Sequence, residues 1–154
     1  MDIKRDGRLW QFVVQELQLS QIMEKSFARN MDSLADIFVF LNGASESFNL
    51  DERTRYSINM AVEELFINMI KYDSGGTEDI SVGLQLNDNR VTVRLVDYDS
   101  EPFDLTDLDE VDIDAPLEQR RPGGLGIHLV KCLMDEVSYQ YKDRTTRIRL
   151  VKNL

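Results

Sequence analysis

Two polar residues four positions apart could do chemistry in a mostly apolar part of the sequence. Glu64 and Asn68 lie within residues 58–70, whose pattern predicts a helix buried on most sides. Side chains at i and i+4 share a helix face, and a buried carboxylate and amide need polar partners. Mg²⁺ on the amide oxygen, with the carboxylate as a base, would provide them. The alternative is a solvated stripe, since Asn59 and Glu63 also give this helix a wet side.

The second candidate site is a glycine-rich run just before a short apolar helix. Its members are Gly123, Gly124, Leu125 and Gly126, and Arg120 and Arg121 precede them. Glycines let backbone N–H groups approach an anion closely, and a helix N-terminus presents unpaired donors, so phosphate suits this run. The run matches neither the P-loop nor the Rossmann fingerprint, so a flexible loop end is the alternative interpretation.

Two helices are predicted before the first hairpin. Apolar residues recur at helical spacing in the shorter one, at Leu34, Ile37, Phe38 and Leu41. Asn30 or Asp32 can cap its start, and Gly43 is the predicted stop. The longer helix starts near Asp51 and reaches about Tyr72, where a run containing two glycines ends it. This longer helix carries the polar pair.

After the second helix the period of the pattern changes from a helical one to alternation, which indicates strands. Residues 80–86 and 91–95 alternate on either side of a turn, and residues 137–141 and 148–150 do the same, which predicts two hairpins. The first thirty residues leave room for one more strand. The expected architecture is α+β, with helices on one face of a mostly antiparallel, mixed sheet.

Residues 97–118 contain ten carboxylates and no Lys or Arg. They form part of the connection between the first hairpin and the glycine-rich run. This connection is too long for a tight turn, and long loops inside compact domains are lids, binding loops or disordered segments.

Composition limits the class of protein. The chain has 154 residues, 42% of them hydrophobic, which predicts one domain over residues 1–154, with residues 1–25 as an extension of unassigned structure. Cys132 is the single cysteine, so a reducing compartment, the cytoplasm, is expected. The net charge of −10 disfavours binding to nucleic acid, and no apolar run is long enough to span a membrane.

Three segments occur in one order that carries more information than any of them alone. They are Ala61-Val-Glu-Glu-Leu-Phe-Ile-Asn68, then Val96-Asp-Tyr-Asp-Ser-Glu-Pro-Phe-Asp104, then the glycine-rich run with its helix. In this order the sequence resembles the anti-sigma regulatory serine kinases, the RsbW type of the histidine-kinase-like (GHKL) ATPase superfamily, over residues 27–150. The resemblance implies a two-layer α/β sandwich of the GHKL or Bergerat ATPase type, ATP and Mg²⁺ as cofactors, and a long ATP lid over residues 103–122.

The resemblance also implies roles for individual residues. Glu64 is similar to the family's catalytic carboxylate, and Asn68 is similar to its Mg²⁺-binding amide. The family's phosphate-contacting segment corresponds, in this resemblance, to Gly123, Gly124, Leu125 and Gly126. Arg121, at the end of the lid, would neutralise charge on the transferred phosphoryl group.

The middle segment departs from the family pattern. Family members have Asp-x-Gly shortly before Pro-Phe-Asp, and these two positions fall on Tyr98 and Ser100 here. The family Asp binds the adenine amino group. Asp97 can bind the adenine amino group instead if the backbone bulges by one residue. Asp99, on the other side of Tyr98, is the second candidate.

The implied function is that of an anti-sigma factor with serine kinase activity. Such a protein uses ATP to phosphorylate a STAS-type anti-anti-sigma partner, sequesters a sigma factor in alternation, and can form a homodimer. The second hypothesis is a non-catalytic or nucleotide-poor partner-binding module of the same fold. The altered middle segment is the reason for this hypothesis. ATP binding that requires Mg²⁺ separates the two hypotheses.

Overall fold

A computed structural model of the chain describes residues 20–72, 75–102 and 124–154. Within these ranges it has five strands and three helices, which confirms the predicted α+β class. In chain order they are β1 (Ser20–Phe27), α1 (Ser33–Ser47), α2 (Glu52–Tyr72), β2 (Ile80–Asn87), β3 (Arg90–Asp97), α3 (Gly124–Leu133), β4 (Glu136–Lys142) and β5 (Thr145–Asn153). The first thirty residues left room for one more strand, and β1 is that strand.

The described strands form one sheet in the order β1-β2-β3-β5-β4, and every pairing between them is antiparallel. The parallel pairing that a mixed sheet requires does not occur among these strands. Tight turns close both hairpins: φ is 42° at Asp88 in the first turn, and 51° and 59° at Asp143 and Arg144 in the second. Turns with positive φ match the twist of paired strands, and both predicted hairpins are confirmed.

The helices cover one face of this sheet. The inward residues of its three central strands alternate as the sequence predicts, and each is at most 2% exposed: Ile80, Val82, Leu84, Val91, Val93, Leu95, Ile148 and Leu150. Together with apolar residues of α1, α2 and α3 they form one core. The opposite face of the sheet carries polar and charged side chains, among them Arg94 and Arg149.

The longest described helix, α2, is central to the helical layer. It contacts α1, α3 and β3. Its buried residues are Thr54, Ser57, Ile58, Ala61, Val62, Leu65, Phe66, Asn68 and Met69. Because α2 is packed on several sides, polar residues on it are held in defined positions. None of the three described helices contains an apolar stretch of the length that a membrane span requires.

The predicted end of α1 is wrong. The helix continues through Gly43 to Ser47, and the chain leaves it through Asn49, which has a φ of 54°. Ala44 and Ser45 are fully buried. Core packing beyond the glycine therefore outweighs the cost of about 1 kcal/mol that a glycine brings to a helix interior.

The helix starts show which of the candidate caps are used. Asn30 Oδ1 accepts a hydrogen bond from the backbone N–H of Ser33 (3.1 Å), whereas the side chain of Asp32 makes no capping bond. Asp51 Oδ1 accepts a hydrogen bond from the backbone N–H of Thr54 (2.7 Å), as expected for the cap of α2. Hydrogen bonding from the side chain of Thr54, together with this backbone bond, lowers the pKa of Asp51 below its ordinary value.

Two substitutions on α1 should separate its buried face from its exposed face. Leu41 is fully buried, so Leu41→Ala should reduce the free energy of unfolding by about 2–5 kcal/mol. Val39 is 73% exposed, so Val39→Ala should change it by less than about 0.5 kcal/mol. Urea denaturation followed by circular dichroism measures both. Equal losses for the two variants would contradict this packing of α1.

Candidate functional site

Helix α2 places Asn68 in the interior. The residue is 4% exposed, and its Nδ2 atom is buried without a hydrogen-bond partner in the described structure. A buried polar group left unpaired costs about 1–3 kcal/mol, and Nδ2 carries N–H donors, so this position favours a ligand that accepts a hydrogen bond, such as a phosphate oxygen. The solvated-stripe interpretation is therefore wrong for Asn68. Glu64, one turn earlier, is only partly buried.

Glu64 packs against α3 at Gly126. A Cβ atom placed on Gly126 would lie 2.1 Å from Oε2 of Glu64 and 2.9 Å from its Cδ. The carboxylate therefore lies directly on the glycine, and a side chain at this position would push the end of Glu64 aside. Gly126 belongs to the first turn of α3, where unpaired N–H groups and the helix dipole favour negative charge.

This arrangement suits a phosphate only if a cation accompanies it. A phosphate at the start of α3 would be repelled by the Glu64 carboxylate nearby. A hard cation between them would remove the repulsion, and the amide oxygen of Asn68 is a ligand type that Mg²⁺ accepts. In the described ranges, no group of three or more His, Cys, Asp or Glu side chains could hold a metal ion.

Asp97, at the end of β3, turns towards the helical layer. It is 1% exposed and lies opposite Ile80 of β2 and Thr146 of β5 in the sheet register. Its Oδ1 atom accepts hydrogen bonds from Nη2 of Arg29 and from the backbone N–H of Asp99 (3.2 Å). No motif in the sequence singles out Arg29, because it lies 68 positions before its partner.

Asp99 is held in a different way, on the surface. Arg144 donates two hydrogen bonds to its Oδ1 (2.7 and 3.1 Å), and the backbone N–H of Thr77 donates to its Oδ2 (3.2 Å). The hydrogen bonds from Arg144 and Thr77 keep the pKa of Asp99 below its ordinary value. Tyr98, between the two aspartates, is 52% exposed. Of the two candidates for the adenine-binding carboxylate, Asp97 is therefore the one that faces inward.

Ser100 occupies the position at which the family pattern has glycine. It is 3% exposed, and its hydroxyl lies 2.7 Å from Oγ1 of Thr146 in a hydrogen bond. Its backbone N–H donates to the carbonyl of Arg144 (2.9 Å). The extra hydroxyl is thus satisfied inside the fold, and this departure from the pattern leaves the end of β3 intact.

Part of the predicted site lies outside the described residues. This applies to Arg121, to Gly123 and to the predicted lid over residues 103–122. Gly124 begins α3, and Leu125 follows it in the helix. The roles of these residues stay predictions.

Sequence comparison places the chain among ATPase domains. Residues 27–152 match the histidine kinase-like ATPase domain family. The chain is 28% identical over 109 residues to the serine-protein kinase RsbW of Listeria monocytogenes, covering 67% of this chain and 69% of that protein. It is 24% identical over 103 residues to RsbW of Oceanobacillus iheyensis, covering 63% and 65%.

Two solved structures have the same fold, each with a TM-score of 0.63 and 14% sequence identity. One contains the RsbU and RsbW domains of a Mycobacterium tuberculosis protein; the match covers 87% of this chain, which spans 32% of that one. The other is the SiaB–SiaC complex from Pseudomonas aeruginosa, in which the match covers 98% of this chain and 100% of the matched chain. The predicted GHKL-type fold is confirmed.

The contact between α2 and α3 can be tested without any ligand. A methyl group at Gly126 would meet the Glu64 carboxylate, so Gly126→Ala should be more favourable by about 1–2 kcal/mol in a Glu64→Ala background than in the parent. Urea denaturation of the parent, both single variants and the double variant measures this coupling.

Gly43 provides the matched control for this cycle. It lies in α1 with no atom within 4 Å of an added Cβ, so Gly43→Ala should stabilise the fold by up to about 1 kcal/mol in either background. Strictly additive effects of the Gly126 and Glu64 substitutions would show that the two residues are not in contact.

Proposed function

Because the chain belongs to the histidine kinase-like ATPase domain family, we propose that it is an ATP-dependent protein-serine kinase of the anti-sigma, partner-switching kind. The observation that carries this proposal is the packing of Glu64 on Gly126, beside a buried Asn68 whose Nδ2 atom has no partner in the described structure. A carboxylate, an amide and a helix N-terminus are the groups that a Mg²⁺-nucleotide needs at its phosphate end.

Each of these residues has a definite task in the proposed reaction. Bound Mg²⁺-ATP supplies the transferable phosphoryl group and an electrophilic phosphorus. Asn68 would hold the metal through its amide oxygen, and the backbone N–H groups around Gly124 and Gly126 would hold phosphate oxygens. Glu64 would accept the proton of the attacking serine hydroxyl. Arg121 would neutralise charge on the transferred group.

The proposed phosphate acceptor is a serine on a STAS-type anti-anti-sigma protein, and the proposed alternate partner is a sigma factor. Support comes from the RsbW relatives, which are named serine-protein kinases. A homodimer remains part of the proposal, as the family resemblance implies. Phosphoryl transfer relies mainly on positioning and charge neutralisation, so this small domain needs few groups for it.

One observation favours the second candidate function, a partner-binding module of the same fold that does not transfer phosphate. Oδ1 of the inward carboxylate Asp97 is already paired with Arg29, so a charged group of the chain itself occupies part of the end of the site where adenine would bind, here called the base end. Measured ATP binding distinguishes the two functions, since a module of this kind would bind its partner without nucleotide.

Glu64→Gln should remove phosphoryl transfer while leaving nucleotide binding intact. The amide keeps the size of the side chain but cannot accept the serine proton, so the transfer rate should fall at least about 100-fold. Transfer of labelled phosphate from ATP to the cognate STAS protein gives the rate, and calorimetry gives the affinity for ATP. Glu63→Gln, at the neighbouring half-buried position, is the control and should transfer at the parental rate. Parental activity in Glu64→Gln would refute the assignment of the base.

Asn68→Ala should remove the dependence of ATP binding on Mg²⁺. In the parent, ATP should bind at least about tenfold more tightly with Mg²⁺ than with excess chelator, a difference of about 1.4 kcal/mol. Without the Asn68 oxygen the two affinities should become nearly equal. Calorimetric titration of both proteins under both conditions provides the comparison, and an unchanged Mg²⁺ effect in the variant would exclude Asn68 as the ligand.

A further inference from the structure

The ion pair between Arg29 and Asp97 is the most deeply buried charge pair in the described part of the chain. The side chains are 8% and 1% exposed, respectively. Two charges removed from water lose hydration free energy that their mutual attraction does not always restore. Burial of an ion pair is therefore weak evidence that the pair stabilises the fold. Its position in the fold indicates a different role.

The ion pair lies at the base end of the candidate site, the end where the adenine base of ATP would bind. Asp97 is the inward carboxylate of the middle segment, and it ends β3 on the face that the helices cover. The guanidinium of Arg29 lies between this carboxylate and the backbone of Gly76, which follows the end of α2 by a few residues. The same helix carries Asn68 in its last two turns, so the guanidinium lies at the end of α2 that holds the metal-ligand candidate.

The fit of the guanidinium against Gly76 is close. A Cβ atom added at Gly76 would lie 2.4 Å from Cζ of Arg29, 2.6 Å from Nη2 and 2.7 Å from Nε. All three atoms belong to the planar head of the side chain. The flat head of Arg29 therefore fills a slot between a glycine backbone and a carboxylate, which is also the kind of slot that a planar purine base requires.

We propose that the Arg29 guanidinium occupies the subsite for the adenine base, so that its ion pair with Asp97 and the binding of adenine nucleotide exclude each other. This inference rests on the proposed function, because it assigns the Asp97 pocket to the base of ATP. Arg29 is then a built-in competitor that sets the affinity of the site. Nucleotide binds only to molecules in which the arginine has withdrawn.

The competition follows from the chemistry of the two donors. The adenine amino group is a neutral donor, whereas the guanidinium is a charged one, and charge-assisted hydrogen bonds are roughly twice as strong. Because the guanidinium fills the slot against Gly76, adenine must displace it from that slot and from Oδ1 of Asp97. The apparent dissociation constant then equals the intrinsic one divided by the fraction of molecules in which the slot is open.

Two substitutions of Arg29 should open the slot. Arg29→Gln removes the charged head, and Arg29→Ala removes the side chain beyond Cβ. Each variant should bind Mg²⁺-ATP about tenfold more tightly than the parent if the slot is closed in about nine molecules out of ten. Gly76→Ala keeps both charges but places a methyl group in the slot itself, so it should bind Mg²⁺-ATP no more tightly than the parent.

The gain should be selective for adenine. The released Asp97 carboxylate accepts a hydrogen bond from the adenine amino group, whereas guanine presents a carbonyl oxygen at the corresponding position and cannot donate there. The affinity for Mg²⁺-GTP should therefore rise much less than that for Mg²⁺-ATP. A substitution that merely loosened the fold would not produce this difference.

The test is calorimetric titration of the full chain with Mg²⁺-ATP and Mg²⁺-GTP, after thermal unfolding has shown which variants are folded. Arg149→Gln is the matched control, because it breaks an ion pair with Glu136 on the opposite face of the sheet and should leave both affinities unchanged. An adenine-selective gain in Arg29→Gln or Arg29→Ala, with no gain in Gly76→Ala, supports the proposal. Nucleotide binding by the parent without any gain in a folded Arg29 variant would overturn it and leave the proposed kinase standing. Absence of nucleotide binding in the parent and in every folded variant would overturn both.

Discussion

The contact between the Glu64 carboxylate and Gly126 is the constraint on which the rest of the site depends. It joins the middle of α2 to the first turn of α3, and a Cβ atom at the glycine would displace the carboxylate. Two elements that are far apart in sequence are thereby held at a distance at which a carboxylate and a helix N-terminus can share one ligand. The apolar packing of α2 against α1, α3 and the sheet holds this geometry.

The two ends of the site are organised by opposite charges. At the phosphate end, Glu64 is a negative group beside a helix start that favours anions. A cation between the carboxylate and a bound phosphate would remove their repulsion. At the proposed base end, Arg29 is a positive group on the carboxylate of Asp97, where a neutral adenine base would bind. On the proposed function, the phosphate end would favour Mg²⁺-nucleotide and the base end would resist it. Weak, adjustable nucleotide binding is the expected consequence.

The sequence predicts those parts of the structure that depend on local periodicity. Both hairpins, the long α2 and the polar pair on it follow from the spacing of apolar residues. The end of α1 does not, because the burial of Ala44 outweighs the local signal of Gly43. The choice between Asp97 and Asp99 needs the register of β3 against its neighbours, which periodicity does not give. Arg29 carries no local signal at all, since its partner is brought to it only by the pairing of distant strands.

The central claim is that Mg²⁺-ATP binds where α2 meets the start of α3. Titration of the ¹⁵N-labelled chain with Mg²⁺-ATP, followed by two-dimensional NMR, tests it most directly. The account predicts that the side-chain amide signals of Asn68 and the backbone amide signal of Gly126 shift together with one saturation curve. If these signals stay unchanged at saturation while those of the opposite sheet face, such as the backbone amides of Arg94 and Arg149, shift instead, the site lies elsewhere and the account is wrong.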